Sequence, residues 1–166
     1  MKKNQDNREE KTNVCRLLEQ AGISFRTAFY EVDEADLSGV HAAAQLGIDP
    51  EVMFKTLVTR DEKNALHVFC IPVAEELDLK KCARAAGVKN LEMIHVKELQ
   101  GLTGYIRGGC SPVGMKKKYP TLLDETAQLF DEIYVSAGAR GASVILSPEA
   151  LREYLTASYE DLCREH

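Results

Sequence analysis

Apolar positions recur every three or four residues in some segments and fall in alternating or continuous short runs in others. The two patterns divide the chain into helices and strands. Val14, Leu17, Leu18 and Ala21 share one helical face, with Thr12 or Asn13 to cap its start and Gly22 as a stop. Residues 25–32, rich in aromatic and β-branched side chains, predict a strand. Ser38 opens a helix through Ala42, Ala43, Ala44 and Leu46, and Gly47 closes it. Asp49-Pro50-Glu51 then reads as a cap followed by proline at the first helical position, a short turn. Residues 54–60 and 65–73 predict two strands. The turn-forming Asp61-Glu62-Lys63-Asn64 between them makes the pair a β-hairpin. Asp78 caps a helix over 79–86 that ends at Gly87; a short strand over 91–94 and a helix over 96–102 follow.

Residues 104–120 break the periodicity. They hold four glycines, two prolines and the run Lys116-Lys117-Lys118. Strands resume at 121–124, 132–136 and 143–146, with a turn over 138–141, and Ser147-Pro148-Glu149 caps a C-terminal helix that breaks near Ser158. Strands outnumber helices and short turns join several of them, which favours antiparallel pairing. The pattern predicts an α/β fold: a single domain, 12–166, with a curved, mixed, mostly antiparallel, barrel-like sheet surrounded by helices. A flexible polar tail, 1–11, precedes it.

Composition narrows the function classes. No apolar run approaches the roughly 20 residues of a membrane span, and the polar N-terminus lacks the apolar stretch of a signal peptide. The expectation is a cytoplasmic protein without a membrane partner. The five cysteines are odd in number and lack Cys-x-x-Cys spacing, which points to free thiols rather than a disulfide framework or zinc site. His41, His67, His95 and His166 have no metal-ligand spacing either, so no metal and no cofactor is expected. The net charge of −5 disfavours bulk nucleic-acid binding, which needs basic surface. A local basic patch remains compatible with it.

Several residues could carry chemistry. The adjacent glycines of Gly108-Gly109-Cys110-Ser111-Pro112 let backbone N–H groups converge on a carbonyl oxygen or oxyanion; a plain glycine-rich turn is the simpler reading. Lys55 interrupts the apolar strand Val52-Met53-Phe54-Lys55-Thr56-Leu57-Val58. It can meet a phosphate or orient a reacting group, or lie on a solvent face. Ser136 ends a strand at the turn carrying Gly138 and Arg140, without a nucleophile elbow around it. Tyr30, beside Phe29, could stack on a base or ribose, or be core. Arg107 with Lys116, Lys117 and Lys118 could track phosphates, or be a solvated charge run.

Tyr30, Lys55 within Phe54-Lys55-Thr56-Leu57, the Gly-Gly-x-Ser-Pro loop and Tyr134-Val135-Ser136-Ala137-Gly138 occur in an order that resembles the YbaK/EbsC family. The line from Gly104 through Lys117 strengthens the likeness, which runs from Val14 to the C-terminal helix. The resemblance implies an enzyme, a free-standing aminoacyl-tRNA deacylase related to the editing domain of bacterial prolyl-tRNA synthetases. Its substrate would be cysteine misattached to proline tRNA. Lys55, Ser136 and the 108–112 loop would be catalytic, with backbone groups of the loop contacting the aminoacyl carbonyl. Phe29, Tyr30, Gly138 and Arg140 would bind substrate, and Arg107 with the three lysines would bind tRNA. The partners implied are the aminoacyl-tRNA acceptor end and a transient complex with prolyl-tRNA synthetase. Two positions depart from the family pattern: Cys110 stands where an aliphatic residue is usual, and Ser143 where aspartate is frequent.

The sequence offers no evident Ser-His-Asp or Cys-His set. By the same resemblance the nucleophile is the substrate's own cysteinyl thiol, and a cyclic thioester leaves, so the enzyme is formally lyase and hydrolase. Two alternatives stand beside this reading. One is a non-catalytic tRNA- or synthetase-binding module. The other is a sister deacylase for alanine or another small residue.

Overall fold

The structure, a computed structural model, describes residues 11–166. Apart from Lys11, the tail expected at 1–11 lies outside the described residues. The elements in order are α1 (Asn13–Gln20), β1 (Phe25–Phe29), α2 (Gly39–Leu46), a 3-10 turn (Pro50–Val52), β2 (Phe54–Asp61), β3 (Leu66–Pro72), α3 (Leu79–Ala86), β4 (Leu91–Met93) and α4 (Val96–Thr103). Then come β5 (Thr121–Asp124), a second 3-10 turn (Glu125–Leu129), β6 (Ile133–Ser136), β7 (Ala142–Leu146), α5 (Pro148–Leu155) and β8 (Ser158–Glu160). Local chemistry sets the helix ends. Thr12, Ser38, Asp78 and Ser147 each accept a backbone N–H of the first turn through their side chains. Left-handed Gly47 and Gly87 stop α2 and α3.

The strands form two sheets. One is antiparallel, in the order β1-β7-β6; the other is mixed, β4-β2-β3-β5-β8. In the second, β2 pairs antiparallel with β3 and β4, whereas β3–β5 and β5–β8 are parallel. Long excursions through α3 and α4, and later through β6, β7 and α5, supply the crossovers that parallel pairs require. The mixed, mostly antiparallel character agrees with the sequence pattern; barrel closure does not. No strand ladder runs from one sheet into the other among the described residues; the two are joined at one isolated bridge, Met53 to Tyr134.

The main core lies between the sheets. Phe54, Cys70 and Leu123 of one meet Val135, Val144 and Leu146 of the other, with α1 and α5 closing the ends through Val14, Leu18 and Leu151. A second core packs Cys82 and Ala83 of α3 against Phe69 and Ile71 on the far face of the larger sheet. The C-terminus differs from expectation. Left-handed Thr156 ends α5, and the chain returns as β8. Buried Asp124 holds this return, accepting the N–H of Leu162 at 3.0 Å through one oxygen and the Thr126 hydroxyl at 2.6 Å through the other. Among the described residues no helix is long and apolar enough to cross a membrane.

Candidate functional site

The bridge between the sheets creates the site. β2 and β6 approach as parallel neighbours at Met53 and Tyr134 and then separate. Side chains alternate along a strand, so the next residues in phase are Lys55 and Ser136. Both line a cleft of about 380 Å³ that opens where the strands diverge. Part of its lining is apolar: Met53, Val73 and Ala42 line it and pack with Ala43, Tyr30 and Tyr134. β4 pairs only with Thr59, Arg60 and Asp61 of β2, which leaves the stretch carrying Lys55 unpaired on that side.

The opposite wall is the glycine-rich loop. A Cβ on Gly109 would sit 3.1–3.3 Å from the backbone of Ala139 and Arg140, and one on Gly138 would lie 3.0 Å from Val14 and 3.1 Å from Tyr105. A side chain at 109 would push the loop and the β6–β7 turn apart by a few tenths of an ångström, and the φ of +93° at Gly138 is one that side chains rarely adopt. Arg140 clamps the pair, its Nε donating to the carbonyl of Arg107 at 2.8 Å. The N–H of Gly109 closes a turn on the Ile106 carbonyl, and that of Val113 donates to the Ser111 hydroxyl. Gly108 and Cys110 line the cleft, and their N–H groups donate to no acceptor among the described residues. They are free to meet a carbonyl oxygen.

Burial sets the electrostatics. Desolvation pulls the Lys55 ammonium below the usual lysine pKa; Glu76, Cys163 and Glu75 offset part of the shift. Among the described residues Lys55 makes no ion pair, leaving a half-buried cation for a ligand. Burial pushes the Cys110 thiol up to about 12, with Thr103 pulling it back slightly. Cys70, in contact with Thr56 at 3.7 Å, is also raised to about 12 by burial. Both thiols are neutral at physiological pH, hence weak nucleophiles. Ser136 accepts the N–H of Gly138 at 3.1 Å, which fixes its hydroxyl beside the turn. Among the described residues no three His, Cys, Asp or Glu side chains converge to hold a metal.

The cleft thus brings together Tyr30, Lys55, Arg107, Gly108, Cys110 and Ser136. Ser111 and Pro112 are buried behind the loop. Phe29 is exposed and lies outside the cleft, on the opposite side of the chain from Tyr30. Gly138 and Arg140 act from behind as loop supports. The basic run divides: the Lys116 ammonium donates to the Gly101 carbonyl near the end of α4, while Lys117 and Lys118 line a separate groove. One wall escaped the sequence reading. Met93, Ile94, Val96 and Leu99 line the cleft from β4 and α4. Val96 is 61 % exposed and Met93 44 %, so the usable signal was apolar residues at the start of a helix without a covering partner.

Comparison with known proteins supplies the family. The model of the aminoacyl-tRNA editing domain matches residues 35–154, which hold Lys55, the glycine loop and Ser136. The chain belongs to the aminoacyl-tRNA editing domain family. An editing-domain relative from Enterococcus faecalis (strain ATCC 700802 / V583), which carries by assignment the name Cys-tRNA(Pro)/Cys-tRNA(Cys) deacylase EbsC, is 45% identical over 154 residues, 93% of this chain and 94% of that one. A solved structure described as a trans-editing enzyme, by assignment, for prolyl tRNA synthetase superposes with a TM-score of 0.77 at 26% identity, covering 94% of this chain and all of that one. The hypothetical protein APE2540 shares the editing-domain fold, with a TM-score of 0.83 at 24% identity over 93% of this chain and 100% of its own.

Proposed function

We propose that this protein is a trans-acting aminoacyl-tRNA deacylase that clears cysteine from proline tRNA, Cys-tRNA(Pro), and also accepts Cys-tRNA(Cys). Family membership and the name of the 45% identical relative support the activity and the substrate. The observation that carries the site is the pairing, across one cleft, of an unpaired half-buried Lys55 with the free N–H groups of Gly108 and Cys110.

The aminoacyl ester enters with its carbonyl oxygen toward Gly108 and Cys110. The substrate's thiol sulfur attacks its own carbonyl carbon, and the negative charge on oxygen is stabilised by the two N–H groups. Each such donor contributes roughly 3 kcal/mol in a water-poor site. The carbon–oxygen bond to the ribose breaks, and the thiol proton passes to the departing ribose oxygen. Free tRNA and a cyclic thioester leave, and the thioester hydrolyses in water. No protein nucleophile is needed, in keeping with neutral Cys110. Lys55 and Ser136 orient the ester from the parted strands, and Tyr30 backs the aminoacyl group. Arg107, Lys117 and Lys118 meet tRNA phosphates. Cysteine and proline are close in size, and binding alone separates such side chains by only roughly 10–200-fold; a thiol-dependent second site removes the errors. The functional unit extends over 12–166, acts in the cytoplasm, and docks transiently on prolyl-tRNA synthetase.

The test is deacylation by the purified protein of tRNAs charged with cysteine, serine, alanine and proline. Cysteine should be released fastest. Faster release of alanine would replace the substrate assignment, and no release from any of them would remove the enzymatic one.

A further inference from the structure

A second hollow lies on the other side of the glycine-rich loop. It measures about 360 Å³ and is lined by Pro112, Lys117, Lys118, Tyr119 and Tyr154 among others. That volume falls within the roughly 300–1,000 Å³ of small-ligand sites. Its polar groups are unequally committed. The Tyr119 hydroxyl donates to the Leu102 carbonyl at 2.8 Å, and Thr121 donates to the Tyr119 carbonyl. Among the described residues, the ammonium groups of Lys117 and Lys118 and the hydroxyl of Tyr154 have no partner. Two free cations beside a half-buried aromatic ring, in a chain of net charge −5, are a local match for a phosphate followed by a base. Phosphate takes the cations, and an unstacked base takes the ring.

The hollow is tied to the cleft by a short segment of chain. Cys110 lines the cleft and Pro112 lines the groove. Consecutive Cα atoms are 3.8 Å apart, so these two lie within roughly 8 Å. Stacked nucleotides advance about 3.4 Å each. A strand whose 3′ end carries the ester into the cleft passes around this buried loop to reach the groove, which places the groove upstream of the ester-bearing end. We infer that this groove binds one unstacked nucleotide of the acceptor strand, upstream of the terminal adenosine. Its base lies on Tyr154 and its phosphate between Lys117 and Lys118. The inference rests on the deacylase reading for its register, and it assigns the groove a role separate from the ester-binding cleft. A site of this kind makes the enzyme a reader of strand as well as of ester, so that free aminoacyl esters are poor substrates.

The experiment compares two substrates, Cys-tRNA(Pro) and the cysteinyl ester of adenosine, which lacks the upstream strand. Wild type is measured beside Tyr154→Ala, Tyr154→Phe and the double variant Lys117→Ala/Lys118→Ala. Loss of one stacking contact corresponds to roughly 5- to 150-fold. Tyr154→Ala and the lysine variant should therefore lower kcat/KM for the tRNA at least about 5-fold more than for the nucleoside ester. Tyr154→Phe, which keeps the ring, should behave as wild type. Equal losses on both substrates, or no loss, would overturn the groove assignment. Binding of uncharged tRNA, followed by fluorescence anisotropy against salt, reads the groove without catalysis. The lysine variant should weaken binding and flatten the salt slope, and an unchanged slope also overturns it. If Tyr154→Ala fails to fold, the surface lysine variant decides alone. If wild type cleaves neither ester, the deacylase reading fails, while the binding measurement still decides the groove.

Discussion

Replacing Lys55 by methionine separates what this residue does for catalysis from what it costs the fold. The methionine keeps the aliphatic stem against the cleft and removes the charge. A hydrogen bond to a charged group contributes about 1.5–3 kcal/mol, so kcat/KM on Cys-tRNA(Pro) should fall roughly 10- to 150-fold. Stability should move the other way. The ammonium is partly desolvated and, among the described residues, has no ion pair, and burial lowers its pKa. Between that lowered value and the ordinary lysine value of 10.5 the unfolded chain binds more protons than the folded one. Wild-type stability therefore rises with pH across that window. The variant lacks this dependence. It should melt no lower than wild type at pH 7, and its advantage should shrink as the pH approaches 10.5. The assays are steady-state deacylation of labelled Cys-tRNA(Pro) and thermal unfolding at pH 7 and pH 10. Activity within about twofold of wild type, inside the roughly 0.5 kcal/mol scatter of neutral changes, would refute the role. So would a fall in melting temperature large enough to explain the lost activity.

Cys110→Ala should retain most activity on Cys-tRNA(Pro), because a thiol with a pKa near 12 is almost wholly protonated at pH 7; S-methylated cysteinyl-tRNA should be a poor substrate of the wild type. A collapse of the folded Cys110→Ala enzyme would instead indicate a protein nucleophile. Tyr30→Ala should raise KM about 10-fold, the loss of roughly 1.4 kcal/mol of contact, whereas Phe29→Ala, outside the cleft, should leave it unaltered; steady-state kinetics of both variants would reverse the assignment if the order were opposite. Asp124→Ala strips a buried acceptor from the Leu162 N–H and from Thr126. Each orphaned group costs about 1–3 kcal/mol, so calorimetry should record a drop on the order of 5 °C or more.

The features that were legible in the sequence are those with a local cause. The β2–β3 hairpin follows from two apolar runs around a turn cluster, and α3 from an aspartate cap and a closing glycine. Lys55 and the glycine pair stood out because each violates its surroundings, a charge in an apolar strand and two flexible residues before a proline. The parallel pairs β3–β5 and β5–β8 had no such cause, since their partners are far apart in sequence. β8 is three residues, Ser-Tyr-Glu, too short to show a period. Phe29 and Tyr30 are adjacent aromatics that must face opposite ways along an extended chain, but the sequence does not tell which of the two faces the cleft; the structure places Tyr30 there and leaves Phe29 exposed. The three lysines formed one run in sequence, and only the Gly101 carbonyl near the end of α4 distinguishes Lys116 from the other two.

The single Met53–Tyr134 bridge behaves as a rivet between two blades. The blades carry Lys55 and Ser136, and the angle between them is the aperture offered to the aminoacyl group. That angle is fixed around the rivet, by Val73 and Ala42, which line the cleft and pack with Ala43 and Tyr30, and by the start of α2, where Gly39 leaves no room for a side chain against Val73. Interiors packed this tightly transmit a change of one methylene rather than absorb it. Substitutions among Met53, Val73 and Ala42 therefore retune which side chain fits while the reactive groups stay the same. Within this architecture, a change of substrate size can arise from the apolar residues that surround the hinge and line the cleft, with the polar groups inherited unaltered.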